Sequence, residues 1–204
     1  ITSEGRAYPI ETRHRARNPQ KRIEDEVVSA VLAALTQDEG SMLVFLPGQG
    51  EIRRVETLLK EKIRNPDVDI APLYGAMDQR AQDLAVTPAA KGRRKIVLAT
   101  SIAETSLTLD GVRIVVDAGL SRRSEFDKAA GVSRLVTVRA SQASDAQRAG
   151  RAARQGPGVA YRLWEEAAHA GREAFDPPEI LTSSWAMARR QAAPESLRAS
   201  FSSA

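Results

Sequence analysis

The chain contains no cysteine, which excludes disulfides and thiolate-ligated metals. Histidine is scarce too: His14 and His169 are the only two, they lie far apart in sequence, and neither has a neighbouring ligand pattern, so both are expected as ordinary surface residues. Aromatics make up 4% of the residues, too few for base stacking to dominate any contact with nucleic acid. No apolar run approaches the roughly eighteen residues of a membrane span, and no charged-then-apolar leader opens the sequence. The expectation is therefore a soluble protein with no membrane contact; a cytoplasmic location and a monomeric state are expected beside it. A phosphate-gripping Gly-Lys-Ser/Thr turn is also lacking. Pro47-Gly48-Gln49-Gly50 follows an apolar run and precedes a helical pattern, but it ends without that signature and is not a Walker A loop.

What is present is a chain of 204 residues, 42% hydrophobic, long enough for one sizeable core. Net charge is only +4, yet it is unevenly placed. Residues 91–154 carry thirteen Lys or Arg against six Asp or Glu, whereas residues 1–64 carry eleven against ten. The central segment thus offers a positive field to a polyanion, in a mode that tracks a phosphate backbone.

Apolar periodicity alternates between the two regular types. Ile23, Val27, Val28, Val31, Leu32 and Leu35 fall at helical spacing after Pro19 and stop before Gly40. Ser41–Leu46 reads as a strand buried on both faces, and Ile52, Val55, Leu58 and Leu59 form the inner face of the next helix. Strands over Val68–Leu73, Lys95–Ala99, Val112–Val116, Leu135–Val138 and Val159–Leu163 follow, with a helix over Asp78–Val86 and a charged, hairpin-like stretch over 121–134. This order predicts an α/β domain with a mainly parallel sheet flanked by helices, and places functional groups at the carboxyl ends of strands. Residues 1–18 read as an edge strand or entry linker, 19–176 as the domain, and 177–204 as a partly disordered tail, in which Ile180, Leu181, Trp185 and Met187 suit a short docking helix.

The most distinctive stretch is Gln147-Arg148-Ala149-Gly150-Arg151-Ala152-Ala153-Arg154. Its arginines recur every three residues, which on a helix aligns them along adjoining faces of one side. Glycine and alanine fill the positions between, so the face can approach another surface closely. Three guanidinium groups are poorly suited to a core and well suited to phosphate oxygens. A solvated basic face fits the octet equally well. Ser144 or Asp145 is placed to cap this helix, and Gly156-Pro157-Gly158 to end it.

Together with Ala99-Thr100-Ser101-Ile102-Ala103-Glu104-Thr105-Ser106-Leu107-Thr108-Leu109-Asp110-Gly111-Val112, the octet resembles motifs V and VI of the DEAH-box family of RNA helicases. Leu43–Ile52 resembles motif IV of that family and Leu73-Tyr74-Gly75 motif IVa. Residues 158–164 and 178–181 point to its bacterial HrpB-type branch. The resemblance implies the second RecA-like domain of an ATP-dependent helicase. The first RecA-like domain, with the phosphate loop and most magnesium ligands, would precede residue 1, and further domains would follow the tail.

Carried over by motif position, Arg151 and Arg154 become arginine fingers at the γ-phosphate and Gln147 places the attacking water or the phosphate. Ser106 becomes a nucleotide-state sensor, Thr108 and Asp110 lie at the ribose and phosphate side, and Arg148 belongs to the nucleotide site or anchors the motif. Thr100, Ser101 and Thr105, with Gly48, Gln49 and Gly75, would meet the backbone of single-stranded or duplex RNA, contacts that do not by themselves separate RNA from DNA. The chain departs from the family at Ser101 (asparagine), at Ala153 (glycine) and near Val86, where an adenine-stacking aromatic is usual, so poor base selectivity is implied. A non-catalytic nucleic-acid-binding module with a helicase-like fold is the alternative reading.

Overall fold

In the computed structural model, which describes residues 8–105, 109–127 and 131–177, the strands form a six-stranded sheet in the order β1-β8-β5-β2-β4-β3 with every neighbouring pair parallel. These strands are β1 (Ile10–His14), β2 (Ser41–Phe45), β3 (Val68–Leu73), β4 (Arg94–Ala99), β5 (Val112–Asp117) and β8 (Gly158–Arg162). The central strand β2 shows why so short a segment is fixed in place. Every residue of it is buried, and successive side chains go to opposite faces. Met42 and Val44 join the apolar cluster beneath α1 (Ile23–Gln37) and α2 (Gln49–Lys62), together with Val27, Val31, Ile52, Val55 and Leu59. Leu43 and Phe45 join the opposite cluster, with Leu73, Ala85, Ala103, Ala149 and Ala152. Each large apolar side chain so buried contributes roughly 1.5–3 kcal/mol, which outweighs the modest propensity of any single element.

The second cluster is covered by α3 (Gln79–Val86), α4 (Ile102–Thr105) and α5 (Gln142–Gly150). Asp78 caps α3 by accepting from the Ala81 amide at 2.8 Å. The small residues of the arginine octet meet the sheet here: Ala149 and Ala152 are buried against it. A Cβ on Gly158 would come within 2.3 Å of the Ala152 carbonyl oxygen. The close approach expected from glycine and alanine is thus made to the domain's own sheet.

One expectation about the strands changes, and one open alternative is decided. Leu135–Val138 is not a buried strand of the sheet. It belongs to β7 (Val132–Arg139), which pairs antiparallel with β6 (Leu120–Asp127) as a separate two-stranded ribbon, and Leu135 is 65% exposed. Val132 and Leu135 stay exposed on the ribbon, while Val136 and Val138 are half-buried. Of the two readings of the first residues, edge strand or entry linker, β1 takes the first, as an edge strand of the domain's sheet. Its backbone pairs with β8, and Arg13 ties it down by donating to Asp38 at 2.9 Å and to the Tyr161 hydroxyl at 2.6 Å. The docking helix and the disordered end expected beyond Pro177 lie outside the described residues. Among the described residues no helix is long and apolar enough to cross a membrane.

Candidate functional site

The arginine segment begins where Ser141 caps α5, its hydroxyl accepting from the Ser144 amide at 3.2 Å. The cap is therefore Ser141 rather than Ser144 or Asp145. Both of those are buried, and Ser144 turns its hydroxyl to Glu104. After Gly150 the helix tightens into a 3₁₀ turn over Arg151–Ala153. The three arginines consequently go to three different environments.

Arg148 points inward and is 1% exposed. Its Nε donates to Glu104 Oε1 at 2.7 Å, Nη1 to Asp117 Oδ1 at 2.9 Å and to the Leu120 carbonyl at 3.1 Å, and Nη2 to the Ser121 hydroxyl at 2.7 Å. The guanidinium also lies 5.1 Å from the centre of the Phe45 ring. Burial works against the charge, but Asp117 and Glu104 more than offset it and hold the guanidinium above its ordinary range. A guanidinium can thus fill a core when two carboxylates enclose it. The placement of Arg148 at the nucleotide is corrected accordingly: it anchors the helix from inside.

Arg151 is 4% exposed, and its Nε donates to the Glu104 carbonyl at 2.8 Å, with Nη2 on the same oxygen. Burial and then the nearby Arg154 charge lower its pKa. Gln147 and Arg154 are exposed. Asp110, exposed as well, is held by Gln155, whose Nε2 donates to Asp110 Oδ1 at 2.7 Å while its Oε1 accepts from the Gly111 amide at 2.9 Å. Arg154 and Asp110 therefore lie toward the amino ends of β8 and β5, at the far end of the crossover from the strand tips. Ser106 and Thr108 lie outside the described residues.

The other candidates gather at the carboxyl ends of three adjacent strands. Gly48 and Gln49 follow β2, Thr100 and Ser101 follow β4, and Gly75 follows β3, so the sheet order sets them in one row. A Cβ on Gly48 would meet Arg122 Nε at 2.7 Å and Glu51 Oε2 at 2.9 Å, so these two side-chain ends, the pair that ties the ribbon to α2, would have to shift to admit it. Gly75 is under no such restriction. Thr105 closes α4, one residue beyond Glu104, whose amide donates to the Ser101 carbonyl at 2.9 Å.

Several residues with structural roles went unassigned from sequence. Glu104 and Asp117 are the carboxylates that hold the arginine segment, and the only signal for Asp117 was an acid ending an apolar strand. The histidines also differ from expectation. Parallel pairing of β1 with β8 brings the His14 and His169 rings to 6.4 Å, with Trp164 stacked on His169 at 6.2 Å. Beneath them Asp145 is fully buried, and its pKa is pushed up to about 7 by burial and by Asp117. Arg172 Nε and His169 Nδ1 each stand 3.6 Å from Asp145 Oδ2, too far for hydrogen bonds, so the ion pair with Arg172 does not offset burial. Among the described residues no group of three or more His, Cys, Asp or Glu is arranged to hold a metal.

Fold and site together define a RecA-like α/β domain with an arginine helix on one face and a row of loops at its strand ends. The chain belongs to the helicase conserved C-terminal domain family, which matches residues 24–156. It is 46% identical over 183 residues to the ATP-dependent RNA helicase HrpB of Escherichia coli, covering 90% of this chain and 22% of that protein. It is 38% identical to the pre-mRNA-splicing factor ATP-dependent RNA helicase prp22 of Schizosaccharomyces pombe, covering 88% of this chain and 16% of the relative. A crystal structure of the E. coli DEAH/RHA helicase HrpB superposes with a TM-score of 0.86 at 44% identity, over 93% of this chain and 24% of that one. The chain spans about a fifth of the length of the curated relatives it matches.

Proposed function

We propose that this chain acts as the second RecA-like domain of an ATP-dependent RNA helicase of the DEAH-box type. In that role it contributes arginine fingers to ATP hydrolysis and one part of the RNA track. The observation that carries the reading is the arginine segment itself: Gln147 exposed on the helix that Arg148 fixes from within, Arg151 on the 3₁₀ turn that continues it, and the exposed Arg154 at the end of that turn. Water attacks the γ-phosphorus, the bond to the β-phosphate oxygen breaks, and negative charge spreads over the transferring oxygens. Guanidinium groups already ordered by the protein stabilise that charge without reorganising. Gln147 orients the water or the phosphate. Thr108 and Asp110 meet the ribose and phosphate side, and Ser106 senses the nucleotide state.

ATP and its magnesium are held mainly by the preceding RecA-like domain, which supplies the phosphate loop absent from these 204 residues. Closure of the two domains brings the triphosphate against the arginine segment, and release reverses it. The row formed by Gly48, Gln49, Gly75, Thr100, Ser101 and Thr105 contacts RNA backbone, so that closure shifts one grip on the strand relative to the other. In the full-length protein, Arg151→Ala or Arg154→Ala is expected to lower RNA-stimulated turnover by about 10³-fold or more. Near-normal turnover in both variants would remove the finger assignment.

A further inference from the structure

Among the described residues, Glu104 joins the strand-end row to the arginine segment through both its side chain and its backbone. It sits in α4, a four-residue helix hung from the end of β4 by the Ala103 amide on the Thr100 carbonyl at 3.2 Å and the Glu104 amide on Ser101 at 2.9 Å. Its Oε1 accepts from the Ser144 hydroxyl at 2.9 Å and from Arg148 Nε at 2.7 Å, both on α5. Its carbonyl accepts from Arg151 Nε at 2.8 Å and from Nη2. The side chain is only 14% exposed, so these bonds are shielded from competing water. Arg148 extends the connection to the Leu120 carbonyl and the Ser121 hydroxyl, the first two residues of β6.

We propose that Glu104 is a positioning residue for hydrolysis: its carboxylate clamps α4 to α5, and the carbonyl thereby held in place sets the plane of the Arg151 guanidinium. Four hydrogen-bond donors from the arginine segment converge on this one residue, and none of them requires Glu104 to touch the nucleotide. A guanidinium in a preset plane presents its charge without first losing rotamer freedom, whereas a loosened one must be ordered at each turnover. The same clamp ties the setting of Arg151 to the backbone at Thr100 and Ser101, so a ligand pressing on that row moves the carbonyl on which Arg151 rests.

The inference rests on Arg151 acting at the nucleotide, and the test separates the two. RNA-saturated ATP turnover is measured for the full-length protein as wild type, Glu104→Asp, Arg151→Ala and the double variant. Glu104→Asp keeps the negative charge but draws the carboxylate back by one methylene from both Ser144 and Arg148, which share its Oε1. Its kcat is expected to fall about ten- to a hundredfold, with KM for ATP within about twofold of wild type and Tm within about 4 °C. The double variant is expected to be no slower than Arg151→Ala alone, because the clamp acts only through Arg151. Ser144→Ala, a milder variant, is expected to lower kcat about threefold with the same non-additivity. Losses that multiply in the double variants, a change confined to KM, or wild-type kcat in Glu104→Asp would overturn the proposal. Near-normal turnover in Arg151→Ala would instead sink the finger reading, and this proposal with it.

Discussion

Replacing Arg148 by methionine isolates the energetics of the internal anchor. Methionine keeps an unbranched stem against Phe45, so the change removes the guanidinium without opening a large cavity. It deprives Asp117, whose side chain is 3% exposed, and Glu104, at 14%, of their common cation, and leaves the Leu120 carbonyl and Ser121 hydroxyl each short of a donor. Breaking a buried ion pair from one side costs about 3–5 kcal/mol, because the remaining charge stays desolvated and uncompensated. Against a typical domain stability of about 5–15 kcal/mol, that is a large share of the total. Urea unfolding of Arg148→Met, followed by circular dichroism, is expected to show a loss of this size with an unchanged slope. The addition of Asp117→Asn removes the more deeply buried of the two stranded charges, so the double variant should recover at least about 1 kcal/mol. A loss below about 1 kcal/mol in the single variant, or no recovery in the double, would refute the reasoning that Arg148 is held by its carboxylates.

Two further predictions concern other buried positions. Asp145 has a folded-state pKa of about 7 against an ordinary 3.8, so the native state holds its proton longer than the unfolded chain. The contribution to stability is complete below about pH 4 and is lost as pH rises toward and through 7. Asp145→Asn should therefore match wild type near pH 4 and exceed it at pH 8, by at most about 4 kcal/mol, and a loss of stability at pH 8 would contradict the assignment. Gly158→Ala places a methyl against the Ala152 carbonyl where only 2.3 Å is available, and is expected to cost about 1–3 kcal/mol in the same unfolding assay. Wild-type stability would mean that the 3₁₀ turn yields freely.

The parallel sheet was legible because a strand buried on both faces must be apolar throughout. Met42–Leu46 and Ile114–Val116 have this character, and Val68–Leu73, a less buried strand at the sheet edge, was found to the residue. The strand-end row followed from that, since a glycine turn or a hydroxyl run after each apolar segment has only one end of the sheet to occupy. The arginines were harder. Whether a guanidinium faces in or out depends on partners distant in sequence, and those of Arg148 come from residues 104 and 117. A period of three in the octet cannot report that Glu104 and Asp117 converge on one of its members. The β6–β7 ribbon misled for the converse reason: Leu135, Val136 and Val138 carry a strand's composition, but their strand pairs outside the main sheet, leaving Leu135 exposed and Val136 and Val138 half-buried. His14 and His169 were separated by the whole length of the domain until β1 paired with β8.

The central claim is that Arg151 and Arg154 recognise the charge of a phosphoryl group in transfer and not the resting nucleotide. Affinities of the full-length protein for ADP and for ADP with aluminium fluoride, a mimic of the transferring phosphoryl, measure this directly when compared between wild type and Arg151→Ala. The account predicts that ADP binding changes by no more than about twofold while binding of the mimic weakens by at least about 10²-fold. Equal weakening for both ligands, or none for the mimic, would contradict it.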